Sequence, residues 1–249
     1  MFQFKIAPTI ATDKQQADSY DEFEERLHGE EFAVMRNLII DSLSRDANNK
    51  MRVIDCGTGT GDISMRIVNK YPNASVVGID ASEAYLDVLR RKIQQNGLEN
   101  RVSVRQIDLH GGVPTELGMF DFAVSQYVFH YRFDRIALFK SICNALKPGG
   151  KLIFGVVIPC DNIMENSKYW VQKEKNSFTW HMSHGFSEKE SLKNGKRDMI
   201  SLFSYCNKHG VADSLQTWLN DLGKAGFANC RILWRKSMDT VIEAIKPSL

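Results

Sequence analysis

The chain has 249 residues, of which 43% are hydrophobic and 25% are charged. These proportions are typical of a globular protein, and they exclude wholesale disorder. Lys and Arg together number 32 and Asp and Glu number 30, so the net charge is +2. A surface that follows a nucleic-acid backbone along its whole length is therefore disfavoured.

Cysteine usage and the first residues bear on the cellular compartment. The five cysteines are widely spaced and include no Cys-x-x-Cys pair, which is typical of free thiols in a reducing compartment. The N-terminus has no basic stretch followed by an apolar core, and no run reaches the roughly 20 apolar residues of a membrane helix. We therefore expect a cytoplasmic protein without a membrane partner.

The predicted elements begin with a helix over residues 13–45, where apolar residues recur at helical spacing. Five runs rich in Val, Ile and Phe then predict strands that are buried on both faces. These strands cover residues 51–55, 75–80, 101–107, 120–126 and 151–158. Helical periodicity lies between them, over residues 61–70, 82–96 and 134–146, and Ser82 is the expected N-cap of the second of these helices.

Residues 159–212 interrupt this alternation, since they are polar, contain several aromatic residues and lack strand-like runs. We predict a helical insertion that serves as a substrate lid. A helix over 213–225 and two strand-like runs follow. The alternation predicts an α/β fold, a doubly wound, mostly parallel seven-stranded sheet with helices on both faces and a C-terminal antiparallel edge strand. Residues 1–45 would form an N-terminal helical cap, and residues 46–158 and 213–249 the sheet domain.

The most specific motif is a glycine-rich loop, Asp-Cys-Gly-Thr-Gly-Thr-Gly-Asp over residues 55–62. It follows a predicted strand and opens a helix, so its glycines allow a tight turn and close approach to a ligand. A Walker loop would need Gly-Lys-Ser/Thr, and a dinucleotide fingerprint would need a glycine where Asp62 stands. The loop therefore favours a ligand that carries little or no phosphate, and it argues against a nicotinamide dehydrogenase.

Two further acids follow the next two strands. Asp80 suits a bidentate hydrogen bond to ribose hydroxyls, and Asp108 could accept from an adenine amino group. Because parallel strands end at one edge of a sheet, these acids and Asp55 are expected to lie together there. For Asp80 an N-capping role beside Ser82 stays open, and for Asp108 a role as a surface loop acid.

Together with Leu-Lys-Pro-Gly-Gly at 146–150, these motifs resemble the Rossmann-like S-adenosylmethionine-dependent methyltransferases over residues 45–158 and 213–245. The resemblance implies S-adenosylmethionine as cofactor, with Asp55 at its amino group and Asp80 at its ribose. The other implied cofactor residues are Tyr20, Gly57, Thr58, Gly59, Gly61, Ala81, Asp108, Leu109, Ser125 and Gln126.

Histidines and aromatic residues supply the candidates for the methyl acceptor's side. His130 follows the fourth strand in a segment that borders both cofactor and substrate in the family, so it is a candidate general base. His181, in the insertion, is the second candidate. Tyr127, Trp180 and His184 are the predicted substrate contacts. A purely structural role stays open for each of these histidines.

Other chemistries find less support in the sequence. His181, His184, Cys206 and His209 have some spacing in common with zinc ligands, but the set is loose, and we predict no metal. Cys160 follows the fifth strand, as the nucleophile of some RNA cytosine methyltransferases does, but the corresponding Pro-Cys after strand four is absent. The amino-methylation signature is also absent after strand four, where Ser-Gln-Tyr-Val stands instead.

These observations predict a methyltransferase that uses S-adenosylmethionine and acts on O, N or C of a small, ring-containing molecule. Nucleic acid is disfavoured as a partner, and a homodimer stays open. The alternatives are an RNA methyltransferase and a protein of the same fold that binds the cofactor without turnover.

Overall fold

The structure is a computed structural model that describes residues 17–44, 46, 48, 50–130, 134–209 and 213–248, with side chains omitted at 201–209. Its helices are α1 (Tyr20–Asp41), α2 (Asp62–Lys70), α3 (Glu83–Gln95), α4 (Arg135–Ala145), α5 (Ile163–Ser183), α6 (Glu188–His209) and α7 (Leu215–Lys224). Its strands are β1 (Met51–Cys56), β2 (Ala74–Asp80), β3 (Val102–Gln106), β4 (Phe120–Gln126), β5 (Leu146–Val157), β6 (Ala228–Lys236) and β7 (Asp239–Ile245).

The seven strands form one sheet in the order β3-β2-β1-β4-β5-β7-β6. Strands β1 to β5 pair in parallel, whereas β7 is antiparallel to both β5 and β6. The order reverses between β1 and β4, which is the place where open α/β sheets bind ligands. The predicted mostly parallel, seven-stranded sheet with an antiparallel C-terminal edge is confirmed; β7 lies one place in from the edge, and β6 forms it.

Helices cover both faces of the sheet, as the continuous apolar strands require. On one face, α4 and α7 bury Phe139 and Trp218 against Phe154 of β5. On the other face, α1, α2 and α3 bury side chains that include Ile39 and Leu89. A strand that is buried on both sides positions its carboxyl-end residues rigidly, so the loops that follow it have fixed starting points.

Several helix ends follow the residues that the sequence indicated. The Ser82 hydroxyl accepts from Tyr85 N at 3.3 Å, which confirms Ser82 as the N-cap of α3. The helix before the Lys-Pro-Gly-Gly run ends at Ala145, and this run lies within the first residues of β5.

Two long helices, α5 and α6, occupy most of the predicted insertion, residues 159–212. Asn176 of α5 donates to Leu27 O of α1 at 3.3 Å, and Arg26 of α1 donates to Asp198 of α6 at 2.9 Å. The insertion and the N-terminal helix therefore pack on each other. Their description as a lid and a cap stays a prediction, and residues 1–16 lie outside the described part of the chain. Within that part, no helix combines the length and the apolar character that crossing a membrane requires.

Candidate cofactor and acceptor site

The glycine-rich loop joins β1 to α2 at the carboxyl edge of the sheet. The backbone N–H groups of Gly57 and Thr58 both donate to Ile79 O of β2, at 2.8 and 2.9 Å. Gly57 has a φ of +72°, and a side chain there would lie 2.4 Å from a methyl group of Val128. The loop therefore needs glycine both for its backbone conformation and for close contact with the chain that follows β4.

Asp55, the fifth residue of β1, is buried beneath this loop with an exposed fraction of 2%. One carboxylate oxygen accepts from the hydroxyl groups of Thr58 at 2.8 Å and Ser64 at 2.6 Å. Burial raises the pKa of Asp55 to about 6, although the two hydroxyl donors oppose this effect. A cationic amino group close to Asp55 would favour the carboxylate form, so this position fits the amino group of the predicted cofactor.

Asp80 ends β2, and its carboxylate reaches back to the glycine-rich loop. One oxygen accepts from Gly59 N at 3.0 Å and the other from Ser82 N at 2.9 Å. Burial raises the pKa of Asp80, while these backbone donors lower it. A carboxylate has about four lone-pair sites, and the backbone donors of Gly59, Ala81 and Ser82 use three of them, so one remains for the ribose contact that the sequence predicts for Asp80.

The predicted adenine contacts lie in different environments. Asp108 is exposed and accepts from His110 N at 2.9 Å, capping a short 3₁₀ turn, and hydrogen bonds from the His110 backbone and ring lower its pKa. Leu109 is buried, whereas Ala81 is half-buried, with its carbonyl accepting from the Gln106 amide at 3.1 Å. The structure thus places an apolar side chain and an acid next to each other after β3.

The remaining predicted cofactor residues come from β4 and α1. The Ser125 hydroxyl donates to Cys56 O at 2.7 Å, and the Gln126 amide donates to Phe32 O at 3.3 Å. The Tyr20 ring lies 3.9 Å from the point where a side chain at Gly59 would begin, and it packs on Tyr85 with ring centroids 4.7 Å apart. Tyr20 therefore covers the glycine-rich loop.

A buried polar cluster lies at the same edge of the sheet, after β4 and at the start of β7. Its members are Glu24, His28, Tyr127, Tyr169, Lys173 and Asp239, and none is more than 8% exposed. Asp239 accepts from the hydroxyl groups of Tyr127 at 2.8 Å and Tyr169 at 3.1 Å, and from Lys173 Nζ at 3.2 Å. With three donors on one carboxylate, the buried ion pair between Lys173 and Asp239 is well compensated.

The backbone at Tyr127 is unusual, because its φ of +55° lies in the left-handed region that non-glycine residues rarely adopt. The Tyr127 ring stacks on His28, with centroids 4.5 Å apart, and on Phe32, with centroids 5.8 Å apart. Such strain concentrates at functional sites. Tyr127, predicted as a substrate contact, thus turns from the end of β4 into the polar cluster.

The other half of the polar cluster belongs to α1. Lys173 Nζ lies 2.9 Å from His28 Nδ1, and His28 Nε2 lies 3.5 Å from the Glu24 carboxylate. Burial raises the pKa of Glu24 to about 7, with a hydrogen bond from Tyr20 and the charge of Lys173 acting in the opposite direction. Burial also lowers the pKa of His28 well below its ordinary value, and Lys173 and His130 lower it further. The cluster therefore favours the neutral form of both groups.

The two predicted general bases occupy different places. His130 is buried, with its ring 6.4 Å from that of Tyr127, so it borders the polar cluster. His181 is buried between α5 and α6, with Nε2 3.5 Å from Asp198, which also binds Arg26 and Ser177. Burial lowers the pKa of His181. The other described contacts of His181 include the ring of Phe186 in the turn between α5 and α6, and no described contact joins His181 to the glycine-rich loop.

The other predicted residues of the insertion lie at the end of α5. The rings of Trp180 and His184 stack with centroids 3.8 Å apart, and His184 is exposed. The side chains of Cys206 and His209, from the alternative zinc set, lie outside the described part of the chain. Among the side chains that are described, no group of three His, Cys, Asp or Glu residues is placed to hold a metal ion.

Comparisons with known proteins give the family. Residues 47–219, well over half of the chain, match the methyltransferase domain family. The chain belongs to that family. This confirms the predicted Rossmann-like S-adenosylmethionine-dependent methyltransferase, with S-adenosylmethionine as methyl donor.

A demethylmenaquinone methyltransferase of Thermus thermophilus is 32% identical over 103 residues, which are 41% of this chain and 45% of the relative. The chain thus spans less than half the length of the first curated relatives that it matches.

Two solved structures have the same fold. Phosphoethanolamine N-methyltransferase 2 of Haemonchus contortus, in complex with S-adenosyl-L-methionine, has a TM-score of 0.61 at 16% identity. The alignment covers 94% of this chain and 57% of that one. A candidate methyltransferase of Methanococcus maripaludis has a TM-score of 0.62 at 20% identity, over 100% and 97% of the two chains. At these identities the likeness concerns the fold alone.

The residues around the methyltransferase site fit its methyl donor. The groups that the cofactor offers, an amino group and ribose hydroxyls, are hydrogen-bond donors, and Asp55 and Asp80 supply acceptors at the carboxyl ends of neighbouring strands. The sequence did not predict the buried cluster members Glu24, His28, Lys173 and Asp239. The spacing of Tyr20, Glu24 and His28 by four residues was the available signal for the first two. Nothing in the sequence indicated that Lys173 and Asp239, 66 residues apart, would meet.

Proposed function

We propose that this methyltransferase acts on a small, ring-containing molecule that binds between the glycine-rich loop and the buried polar cluster. The observation that carries the proposal is the position of α1, which places Tyr20 over Gly59 and His28 against Tyr127. One helix thus bridges the predicted cofactor residues and a second group of buried polar and aromatic side chains at the same edge of the sheet.

Methyl transfer requires mainly that the protein align the acceptor with the methyl group of the cofactor. S-adenosylmethionine, when bound, supplies an electrophilic methyl group. Asp55 and Asp80 hold and orient it, and the side chains after β4 hold the acceptor in line. Bringing two reactants into a near-attack geometry corresponds to effective molarities of about 10⁵–10⁸ M. The aromatic rings of Phe32, Tyr127 and Tyr169 favour a ring-containing acceptor, and the name of the Thermus relative is consistent with a small molecule.

The cap and the lid would exclude water. Residues 1–45 and 159–212 contribute α1, α5 and α6, and α1 contacts the other two helices through a buried and a partly buried polar pair. A lid over the cofactor keeps water from competing with the acceptor. Under this proposal, Trp180, His181 and His184 help to close the lid and do not contact the cofactor.

Cofactor binding is tested by calorimetric titration of S-adenosylmethionine and S-adenosylhomocysteine. The Asp80→Asn variant removes the charge that accepts the ribose hydroxyls, so its affinity should fall by about 1–3 kcal/mol, or roughly 5- to 150-fold. Asp87→Asn, an exposed acid on α3, is the matched control and should bind as the wild type does. If the wild type binds neither compound, the proposal is wrong.

The acceptor class is tested by measuring S-adenosylhomocysteine formation with a panel of small hydroxylated and amino-substituted ring compounds and, separately, with total RNA. We expect product with at least one ring compound and none with RNA. Product with RNA alone would support an RNA methyltransferase. Cofactor binding without product from either would indicate a protein that binds the cofactor without turnover.

A further inference from the structure

The side chains of α1 that face the sheet edge form a continuous polar line. Tyr20, Glu24 and His28 are spaced by four residues, so they share one face of the helix. This line begins above Gly59 and ends on Tyr127. Its middle member, Glu24, therefore lies between the residues that hold the methyl donor and the residues that follow β4.

Among the side chains of the polar cluster, Glu24 is the best candidate to accept a proton from a substrate. Asp239 already accepts hydrogen bonds from two tyrosine hydroxyl groups and from Lys173 Nζ. The ammonium group of Lys173 donates to His28 Nδ1, so the proton of this neutral ring lies on Nε2, the nitrogen that faces Glu24. Glu24 has Tyr20 and His28 as neighbours and keeps further lone-pair sites.

The burial of Glu24 disfavours a further charge that has no partner at this position. Burial raises the pKa of Glu24 to about 7 and lowers that of His28, and both effects arise from the cost of removing a charge from water. A protonated amine would carry the same cost into the site. A hydroxyl group on an unsaturated ring enters neutral, and it becomes a good nucleophile only after it loses its proton.

We propose that Glu24 is the general base of the methyl transfer, and that the acceptor is a phenol-type hydroxyl of a small ring compound. This inference rests on the proposed function. The Glu24 carboxylate takes the proton as the O–H bond breaks. The acceptor oxygen then uses its electron pair to form the bond to the methyl carbon, while the carbon–sulfur bond breaks and leaves its electron pair on sulfur. The proton on Glu24 passes to solvent after product release.

The charge of Glu24 depends on groups from each element around it. Tyr20, Asp21 and His28 belong to α1 itself. Lys173 faces Glu24 from α5, Tyr85 from α3, and Tyr127 from the segment after β4. Burial raises the pKa of Tyr85 and of Tyr127, so at neutral pH neither tyrosine competes with Glu24 for the role of base.

The experiment compares Glu24→Gln with the wild type on two matched acceptors, 2-naphthol and a nitro-substituted naphthol that is already ionised in the assay buffer. A general base contributes about 10²–10⁴-fold to the rate. We therefore expect kcat with 2-naphthol to fall by this factor, and kcat with the ionised naphthol to fall less than about 10-fold. Glu25→Gln, the same change at an exposed position of α1, should leave both rates unchanged.

The wild type alone supplies a second measurement, which holds even if Glu24→Gln fails to fold. Since the carboxylate is the active form, kcat with 2-naphthol should rise with pH through about 7, whereas kcat with the ionised naphthol should not show this step. Binding of S-adenosylmethionine to each variant, followed by calorimetry, checks that the site is intact.

Three results would overturn the inference. They are equal losses of kcat on both naphthols in Glu24→Gln, an identical pH step with both, and turnover of 2-naphthylamine but of neither naphthol. The last result would leave the proposed function standing, because a ring compound would still be methylated. Absence of cofactor binding in the wild type would instead remove the proposed function itself.

Discussion

The Gly61→Ala substitution tests whether the glycine-rich loop is constrained by its packing as well as by its backbone. Gly61 caps α2 with a φ of +88°, and a Cβ there would lie 2.2 Å from Leu89 Cδ1 and 3.0 Å from Leu89 Cγ. Leu89 is fully buried on α3, and in a close-packed interior its side chain could move only by displacing its neighbours. A methyl group at Gly61 would therefore push α2 and α3 apart.

The expected cost has two parts. A left-handed backbone conformation costs a residue with a side chain about 1–2 kcal/mol, and overpacking a dense core costs about 1–3 kcal/mol. The free energy of unfolding should therefore fall by about 2–5 kcal/mol in Gly61→Ala. Gly97→Ala isolates the first part, because Gly97 has a φ of +63° and no atom would lie within 4 Å of its Cβ. This control should lose only about 1–2 kcal/mol.

The packing part is separated by a double-mutant cycle with Leu89→Ala, which removes the atoms that the new methyl group would meet. Leu89→Ala alone should cost about 2–5 kcal/mol. The double variant should cost at least about 1 kcal/mol less than the sum of the single variants, since contacting residues couple. Urea unfolding followed by tryptophan fluorescence supplies all four free energies. Equal losses in Gly61→Ala and Gly97→Ala, or strict additivity in the cycle, would refute the reasoning.

Three further predictions concern the buried charges. Lys173→Met should lower the free energy of unfolding by about 3–5 kcal/mol, because Asp239 would remain buried without its cation. The control Lys175→Met, at an exposed position, should change it by less than about 0.5 kcal/mol. Urea unfolding measures both values. Because the pKa of Glu24 is raised from 4.5 to about 7 on folding, its contribution to stability is complete below pH 4.5 and is lost as the pH rises through 7. Urea unfolding at a series of pH values measures this effect. Over this pH range the free energy of unfolding of Glu24→Gln should rise relative to that of the wild type by up to about 3 kcal/mol. A difference that does not change with pH would contradict the burial of an ionisable Glu24. S-adenosylmethionine binding should weaken below a pH close to the Asp55 pKa of about 6. Ser64→Ala removes one hydroxyl donor from Asp55, which raises this pKa, so the midpoint of the loss of binding should move to higher pH. Calorimetric titrations at pH 5 to 8 measure the midpoint. An unchanged midpoint would show that Asp55 does not bind the amino group of the cofactor.

The local sequence patterns predicted the helices and strands, and the same patterns carry the prediction of the cofactor residues, which stays a prediction. Continuous apolar runs are typical of strands buried on both faces, and the structure has β1, β2, β3 and β4 within one residue of the predicted bounds. The acids and glycines at the ends of these strands are predictable for the same reason, since a parallel sheet brings consecutive carboxyl ends to one edge. These features depend on residues close together in the chain.

Only the tertiary structure decided which side chains form the buried cluster near the predicted cofactor residues. The kink in α1 at Gly29, with φ +57° and ψ −138°, and the packing of α5 and β7 on this helix bring Glu24, Lys173 and Asp239 into one buried cluster. Contacts between residues so far apart in the chain leave no periodicity or spacing in the sequence, and desolvation depends on everything packed around a group. The sequence by itself therefore determined the family and the glycine-rich loop, whereas the buried cluster that contains the proposed base depends on the folded chain.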